Sequence, residues 1–195
     1  GGNREGRSLP VTRMIALHKN PPVLNPDCGS VRVLEGGWWV AHTRSRHEKA
    51  LAFDLLAHGI PYFLPMMERT LVIRKRRFRG MMPLFPGYVF FTGDASARYR
   101  ALTTSHVANV IPVVDQERLV DELAQIEHAL ASPEGLDPFP YLRQGARCRI
   151  KAGPLSGIQG IILQRGGITR LVLQIEMLGQ AVATEIDPEL VEALD

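Results

Sequence analysis

Two short segments of the sequence have residue types that suit binding, and neither has a side chain suited to catalysis. Phe85–Phe91 reads Phe-Pro-Gly-Tyr-Val-Phe-Phe, an aromatic strand entered through a Pro-Gly turn. The second segment, Arg149–Gly160, has glycines at positions 153, 157 and 160. This spacing is typical of tight turns between strands, because glycine accepts backbone conformations that other residues avoid. The two segments together indicate a protein that binds a partner.

Histidine and cysteine, the usual side chains of metal sites and nucleophilic catalysis, show no informative spacing. The 6 histidines make no metal-ligand pattern, and the sequence contains no nucleophile elbow or phosphate-binding loop. Cys28 and Cys148 lie far apart and match neither a zinc pattern nor a disulfide framework. We therefore expect a protein that is not an enzyme, needs no metal or other cofactor, and keeps its thiols reduced in the cytoplasm.

Basic residues are concentrated in one part of the chain, although the net charge of its 195 residues is only +3. The stretch Arg69–Arg79 contains 6 basic residues and no acidic one. Such a cluster favours phosphate groups as partners, because lysine and arginine neutralise a nucleic acid backbone whatever its base sequence. We therefore expect contacts with duplex DNA from Arg74, Lys75, Arg76 and Arg77. The alternative is a charged loop that is only solvated.

Proline and glycine divide the chain into four segments. Residues 1–36 contain Pro21, Pro22 and Pro26 among several glycines, which predicts a partly disordered leader. Residues 132–142 contain three prolines and a glycine, which block both helix and sheet pairing and predict an extended linker. The remaining segments, 37–131 and 143–195, are predicted to be two domains.

The hydrophobic pattern of residues 37–131 alternates between strand and helix. Trp38–Ala41 is a short apolar strand, and a Ser-x-x-Glu capping box of Ser45 and Glu48 predicts the first helix. Asp94 and Asp115 are expected to cap two later helices. The resulting order β-α-β-β-α-β-α favours an α+β fold, a ferredoxin-like antiparallel sheet with helices on one face. The opposite face would be open to a partner.

From residue 143 onward, short apolar strands alternate with glycine turns. Leu171, Leu173 and Ile175 alternate with Val172 and Gln174, so one face of that strand is predicted to be core and the other mostly solvated. Several such strands in so short a segment are typical of a small all-β barrel.

Four segments, in this order, resemble the NusG family of transcription elongation factors with its RfaH-like members. Trp38–Val40, Glu48–Ala50 and Phe85–Phe90 resemble signatures of that family's NGN domain. Gly153–Gly160 resembles the core of its KOW domain, an SH3-like barrel, although Leu155 stands where phenylalanine is usual. The resemblance implies an NGN-like domain at 37–131 and a KOW domain at 143–195.

The resemblance further implies a factor that binds the clamp coiled coil of the largest RNA polymerase subunit and reduces pausing or termination. Large, rigid aromatic side chains suit such a helical partner. The residues implied in polymerase binding are His42, Phe85, Pro86, Tyr88, Phe90, Thr103, Thr104 and Ile111.

Two further contacts are implied by the resemblance. Non-template DNA is expected at the start of the first helix, where the basic residues are Arg44, Arg46, His47 and Lys49, unless these form only a solvated helix end. A ribosomal protein or a termination helicase is expected at a KOW surface that consists of Ile158, Met177, Leu178 and Gln180.

Three alternatives for the biological role stay open on the sequence. The leader, Trp39 in place of tyrosine and Leu155 in place of phenylalanine favour a specialised NusG paralogue that antagonises termination. The others are a general housekeeping factor and a ribosome-associated KOW protein that binds RNA. No membrane partner is expected, because the apolar runs are far shorter than the roughly 20 residues of a spanning helix. We expect a cytoplasmic monomer.

Overall fold

Residues 20–195 are described by a computed structural model, and residues 1–19 of the expected leader lie outside this described range. The strands of the larger domain are β1 (Leu24–Asn25), β2 (Gly37–Thr43), β3 (Tyr62–Phe63), β4 (Met66–Ile73), β5 (Arg76–Pro83), β6 (Tyr88–Gly93) and β7 (Val107–Pro112). Five of them form an antiparallel sheet in the order β1-β3-β6-β2-β7, while β4 and β5 form a separate hairpin. The mixed α/β domain predicted for this segment is confirmed.

The larger domain contains the helices α1 (Glu48–Ala57), α2 (Ala95–Thr103) and α3 (Gln116–Leu130). Asp94 caps α2 and Asp115 caps α3, each accepting a hydrogen bond of 3.0 Å from a backbone N–H in the first turn, as predicted. The predicted capping box of α1 is wrong. His47 is the N-cap and makes no side-chain cap bond, and the Glu48 carboxylate accepts a hydrogen bond from a backbone group outside the helix, described below.

Helices cover both faces of the five-stranded sheet, which corrects the expectation of one open face. Val89 and neighbouring strand residues pack with Leu51 of α1 on one face. Phe90 points to the other face and packs in one cluster with Leu119 and Leu123 of α3. An amphipathic helix is stable when its apolar stripe is buried against another element, and the apolar stripe of α3 is buried against the second face of the sheet.

The C-terminal segment is an antiparallel all-β unit, as predicted. Its strands are β8 (Asp137–Phe139), β9 (Ala146–Ile150), β10 (Gln159–Arg165), β11 (Ile168–Ile175), β12 (Gln180–Glu185) and β13 (Val191–Ala193), in the spatial order β13-β9-β10-β11-β12-β8. Gly160 is required by close packing, because a Cβ there would lie 2.6 Å from the Val172 carbonyl oxygen. The prediction of a mostly solvated face of β11 is wrong at Val172, which is fully buried in a cluster with Phe139 and Ile161 packed against it.

The segments expected to be leader and linker both contribute strands. Residues 20–36 include β1, which extends the larger sheet, and the Tyr62 hydroxyl donates to the Pro22 carbonyl at 2.8 Å. The Val31 N–H donates to the Glu127 carboxylate of α3 at 3.1 Å. Residues 137–139 of the expected linker are β8, which pairs with β12. These parts of the two segments are therefore integral to the sheets.

The two domains pack against each other through α3. The Gln159 N–H donates to the Gln125 side-chain oxygen at 2.5 Å, and a His128 ring nitrogen lies 2.8 Å from the Pro154 carbonyl oxygen. Ile158 of the C-terminal domain joins the same apolar cluster as α3. The expectation of two parts separated by an extended tether is therefore corrected, because burying these apolar side chains against α3 favours contact.

Candidate functional site

One end of the sheet face that carries Phe90 presents accessible ring and aliphatic side chains. His42 on β2 is paired with Tyr88 on β6, and their rings stack with centroids 5.1 Å apart. Ile111 on β7 lies on the same face, and Pro86 stands in the turn before β6. We call His42, Pro86, Tyr88 and Ile111 the aromatic rim. His42 and Pro86 are exposed and the other two are half-buried, so the rim is accessible with both domains in place.

Phe85 and Phe90, predicted to be binding residues, are buried instead. Their exposed fractions are 1% and 0%, and their rings meet edge to face with centroids 6.1 Å apart. The alternation of side chains along β6 directs Phe90 toward α3, and Phe85, which precedes β6, packs in the same cluster. These two rings offer no surface to a partner in this arrangement, and the prediction is corrected for them. They support Tyr88, which packs against the same cluster.

The Pro-Gly turn beside the rim is held by a buried carboxylate. Gly87 has a φ of +89°, a left-handed conformation that favours glycine, and its N–H donates to Glu48 Oε1 at 2.7 Å. The Gly87 carbonyl accepts from the Thr43 N–H at 2.8 Å. Glu48 is only 7% exposed, and it connects the first turn of α1 to the turn that precedes Tyr88. The position of the rim is therefore fixed from two sides.

The basic residues before and at the start of α1 divide into two groups. Arg44 and Arg46 are exposed, and Arg46 has a φ of +64°, which turns the chain sharply before the helix. Lys49 is half-buried, and burial lowers the pKa of its ammonium group while the neighbouring Glu48 charge opposes the change. Arg44 and Arg46 are thus the residues of this group that are freely available to an anionic partner.

His47, also predicted to contact DNA, takes part in an internal contact. Its Nδ1 lies 2.9 Å from Nδ1 of His106, and Nε2 of His106 lies 3.2 Å from an Asp54 carboxylate oxygen. The Arg44 N–H also donates to the His106 carbonyl at 2.9 Å. These contacts connect the segment before α1 to the segment before β7, and they fix the orientation of the His47 ring.

Thr103 and Thr104, predicted to contact polymerase, use their hydroxyl groups to close helix α2. Thr103 donates to the Arg100 carbonyl at 2.8 Å and Thr104 donates to the Ala101 carbonyl at 2.9 Å. Side-chain bonds of this kind are ordinary at helix ends. Thr103 is exposed and Thr104 is half-buried, so their outer surfaces are still open to a partner.

The hairpin β4–β5 carries the strongest concentration of cations. Its two-residue turn places Arg74 and Lys75 in left-handed conformations, with φ values of 48° and 63°. Arg74, Lys75, Arg76 and Arg77 are all exposed. Two other hairpin cations have acidic neighbours, since Arg69 lies 3.1 Å from Asp137 and Arg79 lies 3.9 Å from Glu68.

The four residues predicted to form the KOW partner surface are not equivalent. Ile158 is 2% exposed and packs in the cluster shared with α3, so its prediction as a surface residue is corrected. Met177 is 39% exposed, and Leu178 and Gln180 are half-buried. Glu176, directly before them, pairs with Arg118 of α3. Met177 is thus the most exposed of the four residues and the one most accessible to a partner.

Two residues of the site were missed by the sequence analysis. Glu48 was interpreted as a helix cap, and no local pattern indicates that it reaches Gly87 39 positions away. Asn109 lies opposite His42 and is exposed, which makes it a polar neighbour of the rim. The alternation along Val107–Pro112 was a usable signal, since it places Asn109 and Ile111 on one face.

Two features are absent from residues 20–195. No group of three or more His, Cys, Asp or Glu side chains in this range could hold a metal ion. Within the same range, every helix is too short or too polar to cross a membrane.

The chain consists of a mixed α/β domain with an accessible rim and an antiparallel all-β unit packed against it. This arrangement is typical of a two-domain protein that binds a partner. Residues 36–129 match the family model described as "Transcription termination factor nusG". The larger domain is therefore similar to the NusG domain over these residues, which make up a little under half of the chain. The description of that model names a transcription termination factor, and the match does not extend into the C-terminal all-β unit.

Comparison with solved structures finds a similar chain described as "Domain interaction in Thermotoga maritima NusG". It is 19% identical, the match covers 83% of this chain and 98% of that one, and the TM-score is 0.46. No curated protein matches the sequence.

Proposed function

We propose that this protein is a transcription elongation factor that binds RNA polymerase through the aromatic rim and reduces pausing or termination. The single observation that carries the proposal is the Tyr88 side chain, stacked on His42 and half-exposed beside the exposed Pro86. A planar aromatic group in a fixed position provides contact area with little loss of side-chain entropy. The clamp coiled coil of the largest subunit, an exposed pair of helices, is the proposed partner.

DNA contacts complete the proposed complex. Arg44 and Arg46 are exposed near the start of α1, and the tip of the hairpin presents four exposed cations. We assign non-template DNA to the first group and upstream DNA to the second. Both contacts are electrostatic, so binding should weaken steeply as salt is raised.

A specialised role, as a paralogue that antagonises termination in the cytoplasm, is the more specific form of the proposal. It is supported by Trp39 and Leu155, which depart from the usual residues of the family. The C-terminal domain would act as the KOW domain and bring in a ribosomal protein or a termination helicase through Met177, Leu178 and Gln180. Occupancy on only a few operons in a chromosome-wide map would support the specialised role, and occupancy on most transcribed genes would favour a general factor.

The main test compares two tyrosine substitutions in the full chain. Tyr88→Ala should weaken binding to RNA polymerase by about 2 kcal/mol, or roughly 30-fold, if Tyr88 is a hot spot. Tyr99→Ala is the matched control, because Tyr99 is 70% exposed on α2 outside the rim. It should leave the affinity within about twofold. Circular dichroism should show both variants folded. An unchanged affinity of folded Tyr88→Ala refutes the proposal.

A further inference from the structure

The hairpin β4–β5 has two chemically different faces. Directly paired residues of an antiparallel ribbon lie on the same face, so the pairs Leu71–Phe78 and Ile73–Arg76 share one face. The other face carries Val72, Arg77 and Arg79 among its residues. We call the face formed by Arg69, Leu71, Ile73, Arg76, Phe78 and Gly80 the Phe78 face.

The Phe78 face exposes two large apolar side chains. Phe78 is 41% exposed and Ile73 is 54% exposed. Gly80 follows Phe78 on the same face, and in the described part of the chain no heavy atom lies within 4 Å of where its Cβ would stand. Gly80 is paired with Arg69 at the base of the hairpin. The position next to Phe78 on this face therefore has no side chain, and the partly exposed Phe78 ring is open to solvent on that side.

The basic residues around the hairpin tip indicate which kind of planar group would bind this face. Arg74, Lys75, Arg76 and Arg77 surround the tip, and in residues 20–195 no carboxylate lies within salt-bridge distance of them, whereas Arg69 and Arg79 have acidic partners. Cations next to an exposed aromatic ring are the combination that binds single-stranded nucleic acid, because arginine and lysine hold the phosphates while a base stacks on the ring. A base within a duplex is already stacked on both sides and cannot reach Phe78.

We propose that Phe78 stacks on an unpaired DNA base next to a duplex, so that the hairpin recognises a junction between single-stranded and double-stranded DNA. This inference rests on the upstream DNA contact proposed above and specifies the form of DNA that the hairpin binds. The phosphates of the duplex and of the unpaired strand lie on the tip cations, and the first unpaired base lies on the Phe78 face.

The experiment uses the full chain and two labelled DNAs, a forked duplex with unpaired arms and a blunt duplex of the same paired sequence. Phe78→Leu keeps an apolar side chain and removes the ring, and Phe78→Trp keeps a ring. Val72→Ala changes an exposed side chain of the opposite face and serves as the control. A 2-aminopurine base at the first unpaired position reports stacking through quenching of its fluorescence.

Phe78→Leu should weaken binding to the fork about tenfold, within the range measured for loss of one base–aromatic contact, and leave duplex binding within twofold. Phe78→Trp should retain fork binding and quenching, and Val72→Ala should behave as wild type. Equal affinity of wild type and Phe78→Leu for the fork overturns the inference. So does an equal loss on fork and duplex, or a preference of the wild type for an RNA fork or for anionic lipid vesicles.

Substitution of Arg74, Lys75, Arg76 and Arg77 by Gln separates this inference from the proposal on which it rests. The quadruple variant should lose affinity for both DNAs and show a smaller salt dependence. If duplex binding and its salt dependence are unchanged, the proposed duplex contact of the tip fails. The effect of Phe78→Leu on the fork alone then decides whether the stacking contact exists.

Discussion

Glu122 of α3 is placed so that its ionisation should control how tightly the two domains hold together. Its side chain is 15% exposed, and it accepts a hydrogen bond of 3.2 Å from Arg118 Nε. The backbone N–H of Glu176, in the C-terminal domain, donates to Glu122 at 3.3 Å. Burial raises the pKa of Glu122 to about 7, although the nearby Arg118 opposes the change.

The expected magnitude follows from that pKa. The ordinary value is 4.5, and each tenfold change in proton affinity is worth about 1.4 kcal/mol, so the ionised form costs up to about 3 kcal/mol relative to an unperturbed carboxylate. Because the folded pKa is raised, the associated stability is fully present below pH 4.5 and is lost as pH rises through 7. Glu122→Gln mimics the protonated form and should therefore be more stable than wild type at pH 8.

The assay is urea unfolding of the full chain at several pH values between 4.5 and 8, followed by tryptophan fluorescence and circular dichroism. The free energy of unfolding of Glu122→Gln should exceed that of wild type by up to about 3 kcal/mol at pH 8 and match it near pH 4.5. Glu117→Gln, an exposed change on the same helix, should show no such pH dependence. A difference between Glu122→Gln and wild type that stays constant with pH refutes the reasoning.

Substitutions at two positions and one measurement of thiol reactivity test packing within each domain. Glu48→Ala removes the acceptor of a turn amide and should cost about 1–3 kcal/mol of unfolding free energy in urea titrations, whereas Glu48→Gln should cost less; equal losses would contradict the hydrogen bond. Gly160→Ala places a methyl group 2.6 Å from the Val172 carbonyl oxygen and should lower stability by about 1–3 kcal/mol in the same assay, so an unchanged midpoint would speak against the packing. Cys148 is buried, and burial raises the pKa of its thiol. A thiol reagent should therefore modify half-buried Cys28 first and Cys148 only when the protein unfolds. Rapid modification of both thiols in the folded protein would be inconsistent with this core.

Local sequence signals predicted the helices of the larger domain well. Asp94 and Asp115 each supply one hydrogen bond to the first turn of the helix that follows, a contact that depends on residues three positions apart. Val89 and Phe90 also lie on opposite faces of the sheet, as the alternation of side chains along a strand requires. Signals of this range need no knowledge of the tertiary fold, and the capping box of α1 failed where a distant group, the Gly87 N–H, engages the Glu48 carboxylate.

The errors came from contacts between residues distant in sequence. Nothing near Glu48 indicates that its carboxylate binds the Gly87 N–H, and nothing in the pattern of β6 says which of its faces α3 will cover. The strand Arg76–Pro83 was also not predicted, because Arg74 and Lys75 in the turn before it adopt left-handed conformations usually supplied by glycine or asparagine. Proline content likewise suggested an isolated linker, although Asp137–Phe139 pairs with β12.

Burial of Phe85 and Phe90 changes how the aromatic motif should be understood. If all its rings bound a partner, the free protein would expose a large apolar surface, which soluble proteins avoid. Instead, the two buried rings and the Glu48–Gly87 bond hold the turn, and the turn holds Tyr88 against His42. A ring fixed before binding loses little entropy when the partner arrives. Loss of Phe90 should therefore act through stability and loss of Tyr88 through affinity, since only the second ring can be reached from outside.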